Sequence, residues 1–231
     1  MRDFTALIPA LVVPGLGAVC AYTLASPGTV AKTVFAVSKL FIVLWPACWV
    51  LGIDKVSPRE LISMEGLTRA HTWRKGFAIG IFFSIVLVSM YSLFFAALLI
   101  PERENIRAAI TAWGSLKFYW VWALLMSLAH SGVEEIYWRG FVYTRLQRVC
   151  KPITAMAVGS VVFSIHHGVL YGKTLGIPVA VLFATGVSLA GGIWCVLVRD
   201  EKTLWPSWIS HVVTDLALFS LGAHLLGLPP F

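Results

Sequence analysis

Residues 76–100 read GFAIGIFFSIVLVSMYSLFFAALLI, an uninterrupted run without a single charged side chain. Wound as an α-helix at ~1.5 Å per residue, such a run crosses a hydrocarbon layer about 30 Å thick. Comparable runs of about 20 mostly apolar residues lie near 4–24, 30–52, 118–147, 152–171, 175–199 and 204–226, so seven spans are expected. Lipid offers no partner to backbone N–H and C=O groups, which makes these runs helices, and the lack of alternating ten-residue segments argues against a barrel. The expected fold is all-α: a polytopic transmembrane helical bundle with about seven spans plus short interfacial helices. Residues 1–231 form a single integral membrane domain.

Composition agrees with this reading. Of 231 residues 58% are hydrophobic and 13% charged, with a mean hydropathy of +0.83, whereas a soluble domain is about half apolar and about a quarter charged. A net charge of +7 would suggest nucleic acid for a soluble protein. Here the basic residues gather at the ends of apolar runs, so they read as topology signals, and the expected partner is the lipid bilayer with no nucleic acid. Arg2, Arg145, Arg148, Lys151, Arg199, Lys202 and the basic residues of the 54–75 loop outnumber Lys32, Arg103, Arg107, Lys117 and Lys173 on the other side. The N-terminus is therefore expected in the cytoplasm, and the compact chain points to a prokaryotic inner membrane.

Shorter features complete the map. The 54–75 loop, with Lys55 and Arg59 among Leu61, Ile62, Leu67 and Trp73, reads as one or two interfacial helices, and Glu102 to Trp113 as another. Phe141 to Arg148 is amphipathic and is expected to leave the bilayer. The first apolar stretch, ending before Ala25-Ser26, is longer than a signal-peptide core and reads as a retained span. Cys20, Cys48, Cys150 and Cys195 form no CxxC pair, so neither a disulfide framework nor a thiolate metal site is expected.

A charged side chain at the bilayer centre costs at least ~2.5–3.5 kcal/mol, so each one inside a span is a functional candidate. Three clusters stand out: Glu134-Glu135 with Arg139, Phe163 with His166-His167, and His211 with Asp215. Adjacent glutamates point about 100° apart on a helix and are expected to play different parts. Glu135 and Arg139, at i and i+4, form a helical ion pair that leaves Glu134 without a charge partner and available as a general base. His211 and Asp215 share one face, and only one of His166 and His167 is expected to face the same centre, with His166 the structural member. His71, His130 and His224 are given no role.

Taken in order and spacing, Glu134, Glu135 and Arg139 resemble the EExxxR motif of the CAAX protease and bacteriocin-processing (Abi) family, which includes the type II CAAX prenyl endopeptidases. Phe163 with His167 resembles its FxxxH motif, and His211 with Asp215 its closing His-xxx-Asn/Asp motif. Gly191-Gly192, Arg199 and Trp205-Pro206 are further matching points, and the likeness spans roughly 118–220, the motif-bearing helices. The resemblance implies an intramembrane endopeptidase acting on a lipidated or membrane-anchored protein or peptide. Glu134 would activate water with help from His167, while His211 and Asp215 position or stabilise the tetrahedral intermediate; Glu135, Arg139 and Phe163 would support them.

Two alternatives stay open. Glu134, His167, His211 and Asp215 could instead ligate zinc, although no HExxH motif is present and ligation would occupy the obvious base, so no cofactor is the favoured expectation. A non-catalytic membrane regulator or scaffold of the same family is the other. A transporter is disfavoured because the polar residues crowd into the second half with no counterpart in the first.

Overall fold

The computed structural model describes residues 2–24, 28–56, 66, 68–114 and 116–229, and among them every long element is helical. In chain order these are α1 (Arg2–Leu24), α2 (Thr29–Ile53), α3 (Ala70–Leu99), α4 (Arg103–Trp113), α5 (119–149), α6 (Pro152–Leu175), α7 (Ile177–Glu201) and α8 (Trp205–Leu226). Six of them, α1 to α3 and α6 to α8, are long and apolar enough to cross a membrane, and the chain is an integral membrane protein. The seventh expected span, α5, is helical throughout but is not among the six; it is the helix that holds Glu134, Glu135 and Arg139.

Local chemistry sets several boundaries. Prolines open α6, α7 and α8 in the first turn, where a missing N–H costs nothing. Gly176, at φ 83°, reverses the chain between α6 and α7 in one residue, a backbone state that a side chain would strain. Pro14 inside α1 removes the N–H that would bond the Ala10 carbonyl. The Tyr137 hydroxyl donates to that carbonyl at 2.8 Å, so a proline in α1 is satisfied by a buried side chain of α5.

Small residues bring the helices into contact, the usual device where lipid supplies no hydrophobic drive between spans. A Cβ on Gly76 would lie 2.8 Å from Ile209 Cβ, and one on Gly80 2.7 Å from Val213 Cβ, so α3 lies backbone-close to α8. Gly168 and Gly172 of α6 similarly face Ala184 and Ala180 of α7, with Cβ distances of 3.2 and 3.5 Å. Within α5, wide π-type turns at Met126–His130 and Ile136–Tyr143 flank the short α-wound piece Ser131–Glu135. Such widenings rotate the helix face and recur at functional sites.

One end of the bundle is tied by charge. Arg145 bonds Asp3 at 2.9 Å and also pairs with Asp54, while Arg2 reaches Asp54 at 2.9 Å, joining the start of α1, the end of α2 and the end of α5. Lys75 and His71 meet Glu201 at the same end, the latter at 2.8 Å. At the opposite end Arg107 of α4 donates to the Leu226 carbonyl, and Ile106 packs on Ala223, Leu225 and Leu226.

Phe141 to Arg148 stays packed on the bundle as it reaches the charged end: Phe141, Val142, Tyr143 and Leu146 are buried, and Arg145 is 3% exposed beneath the acids of α1 and α2. Its amphipathic pattern reflects ion pairs inside the protein. Trp73, Arg74 and Lys75 belong to the first turns of α3 rather than to an interfacial helix, while Arg59, Leu61, Ile62 and Leu67, like Ala25-Ser26, lie outside the described residues. Finally, α6 runs on to Leu175, past the expected 171.

Candidate active site

The motif residues converge from three helices on one centre walled by aromatic rings. Glu134 and Glu135 of α5, 3% and 1% exposed, are adjacent yet serve different neighbours, as their angular separation requires. Glu135 Oε1 accepts from Arg139 Nη1 at 2.9 Å and, at the same distance, from His211 Nδ1 of α8. A carboxylate can only accept here, so the imidazole proton sits on Nδ1 and Nε2 is turned to the centre. That Nε2 lies 4.0 Å from Glu134 Oε2 and 3.7 Å from Asp215 Oδ1. The two glutamates thus bracket one imidazole.

Packing fixes the ring of His211 as well. Trp194 of α7 stacks on it with centroids 4.3 Å apart and donates from Nε1 to Ser210 Oγ at 2.9 Å. The Arg139 guanidinium lies 4.4 Å from the Phe163 ring centroid and 4.9 Å from that of Trp194, so its charge is met by π faces in addition to Glu135. Gly191 makes room for it: a Cβ there would sit 3.1 Å from Arg139 Nη2. Phe163 packs edge-on against His167 at 4.9 Å, and the His167 Nδ1 donates to the Phe163 carbonyl at 3.3 Å, which leaves Nε2 free to face the site.

The expectation that Glu134 stands without a charge partner is overturned. Its Oε1 is approached by His130 Nε2 at 2.9 Å, His166 Nε2 at 3.4 Å and Lys39 Nζ at 3.7 Å. His166, expected to be merely structural, shares the centre with His167, their ring centroids 4.0 Å apart. Despite the 100° between them, both imidazoles come within reach of Glu134, with His166 resting parallel to Trp138 at 6.1 Å. His130, given no role, is one helical turn before Glu134, an i, i+4 relation visible in the sequence. Lys39 carried a signal too, an ammonium in the interior of the apolar run of α2.

A metal would find a somewhat different set from the one expected. The ligand atoms of Glu134, His166 and His167 all lie within 4.8 Å of one another, a grouping that a divalent ion could draw together. His166 Nδ1 is buried without a hydrogen-bond partner, so its ring is held by packing and by Nε2. His211 and Asp215 stand one layer further out, on the Oε2 side of Glu134.

No curated protein and no solved structure matches the chain. A family model does: residues 116–217 match the one described as type II CAAX prenyl endopeptidase Rce1-like. That stretch holds Glu134, Glu135, Arg139, Phe163, His166, His167, His211 and Asp215, and excludes α1 to α4. This stretch, which folds into the helices that build the polar centre, is what the chain shares with the type II CAAX prenyl endopeptidase Rce1-like family.

Proposed function

We propose that this protein hydrolyses a peptide bond near the membrane in a lipidated or membrane-anchored protein or peptide, with Glu134 activating the attacking water. The observation that carries the reading is the gap between Glu134 Oε2 and His211 Nε2, 4.0 Å wide and walled by Trp194 and Phe163. Two polar atoms at that separation are suited to holding one water between them. Glu134 takes a proton from that water as its oxygen attacks the scissile carbonyl, then passes it to the leaving amine. His211, kept in its Nδ1–H form by Glu135, accepts the water's other proton at Nε2 and so orients the nucleophile, with Asp215 beside it and His167 assisting from α6.

Glu134, His166 and His167 would be the residues to hold a divalent ion, which when bound would supply a Lewis acid. The metal-free route is preferred because Glu134 then keeps the free oxygen that the base needs. The basic surplus at the end holding Arg2 and Arg145 further supports a cytoplasmic N-terminus in a prokaryotic inner membrane.

The test is cleavage of a panel containing a farnesylated CAAX peptide and a leader-type membrane peptide by detergent-purified wild type and Glu134→Gln, with metal content measured on the same samples. Glu134→Gln should cut turnover about 10²–10⁴-fold while remaining folded. Full activity in that variant would rule out the general base, and stoichiometric zinc required for activity would make Glu134 a ligand.

A further inference from the structure

Lys39 stands near the middle of α2, outside the stretch that matches the family. An ammonium within a membrane-length helix is expensive, and in this chain its surroundings state what it does there. Its Nζ lies 2.9 Å from His130 Nε2, 3.7 Å from Glu134 Oε1 and 5.3 Å from the centroid of Phe35, one turn back on the same helix. The first two of these contacts hold it against the polar centre.

The carboxylate of Glu134 is engaged unequally. Lys39, His130 and His166 all address Oε1, whereas Oε2 faces His211. One oxygen is anchored and the other presented. The charges point the same way. Glu134, Glu135 and Asp215 bring three carboxylates to one centre, and Arg139 is engaged by Glu135, so Lys39 is the lysine amine set against Glu134. His130 alone could not do this, because its Nε2 sits between Nζ and Oε1 and bonds through a single proton or lone pair.

We propose that Lys39 is a positioning residue for Glu134: with His130 it anchors Oε1 and thereby presents Oε2 to the reacting water. This rests on Glu134 being the working carboxylate. It also assigns a task in the reaction to α2, a helix without any family motif.

The test combines a substrate-free arm with a kinetic one. In the first, melting temperatures in detergent are compared for wild type, Lys39→Met, Glu134→Gln and the double variant. Lys39→Met should lower the melting temperature of the wild type and leave that of Glu134→Gln unchanged or raised, because only the former loses a charge partner. Equal shifts in both backgrounds would overturn the pairing, whatever the substrate. In the second arm, on the farnesylated peptide, Lys39→Met should lower kcat on the order of a hundredfold with KM little changed, as expected of a misplaced catalytic group. Lys39→Arg should restore most of it. A raised KM with kcat retained would instead make Lys39 a substrate contact and overturn the proposal. Glu134→Gln at full activity would sink the glutamate reading itself; Glu134→Gln inactive beside Lys39→Met at wild-type kcat would sink only the role of Lys39.

Discussion

Arg139 occupies the least forgiving position in the site, 1% exposed and bonded to a carboxylate that is equally buried. Removing one partner of a buried pair strands the other, at a cost of about 3–5 kcal/mol, whereas removing both can be nearly neutral. Arg139→Met should therefore lower the melting temperature sharply, and Glu135→Gln added to it should recover part of the loss. A double variant less stable than Arg139→Met would show that a stranded carboxylate is not what Arg139→Met costs. Stability is only part of what Glu135 does, since its Oε1 also holds His211 Nδ1; activity should not return with the melting temperature. This double duty was not legible in the sequence, where EExxxR discloses the i, i+4 partner and nothing discloses a histidine 76 positions away. The sequence did disclose residues that pair within a helix or repeat a motif. It concealed His166 and Lys39, whose meaning depends on which helices become neighbours.

At the scale of elements, the centre depends on how near α3 comes to α8. Gly76 and Gly80 touch Ile209 and Val213, the residues two before and two after His211. Gly80→Leu should force α8 outward, lowering kcat by displacing His211 and lowering the melting temperature together. Gly186 of α7 provides the contrast: a Cβ there meets nothing within 4 Å. Gly186→Ala should stabilise by up to about 1 kcal/mol through helix propensity alone, with unchanged kcat. A stable, fully active Gly80→Leu would mean that α8 has room to spare. Helix identity was readable from apolar run length, and the small residues of α3 lay in plain sight. Their partner helix did not, because small-residue spacing marks a close contact without naming the other side.

For the whole molecule, the helices place Arg2, Arg145, Lys151 and Lys202 at one end and Arg103, Arg107 and Lys173 at the other. In a variant stripped of its native cysteines, Lys202→Cys should react with an impermeant maleimide only after the cells are opened, and Lys173→Cys in intact cells. The reverse pattern would invert the orientation. The two halves of the chain are also less separable than the motif distribution implies. Pro14 leaves the Ala10 carbonyl without a helical donor, and Tyr137, two residues before Arg139, supplies one. A piece cut to residues 116–217 would leave that hydroxyl without its acceptor and strip the guanidinium of Arg145 of both Asp3 and Asp54. The motif-bearing half is consequently not a portable module: grafted into another membrane protein, it would need α1 and α2 to travel with it.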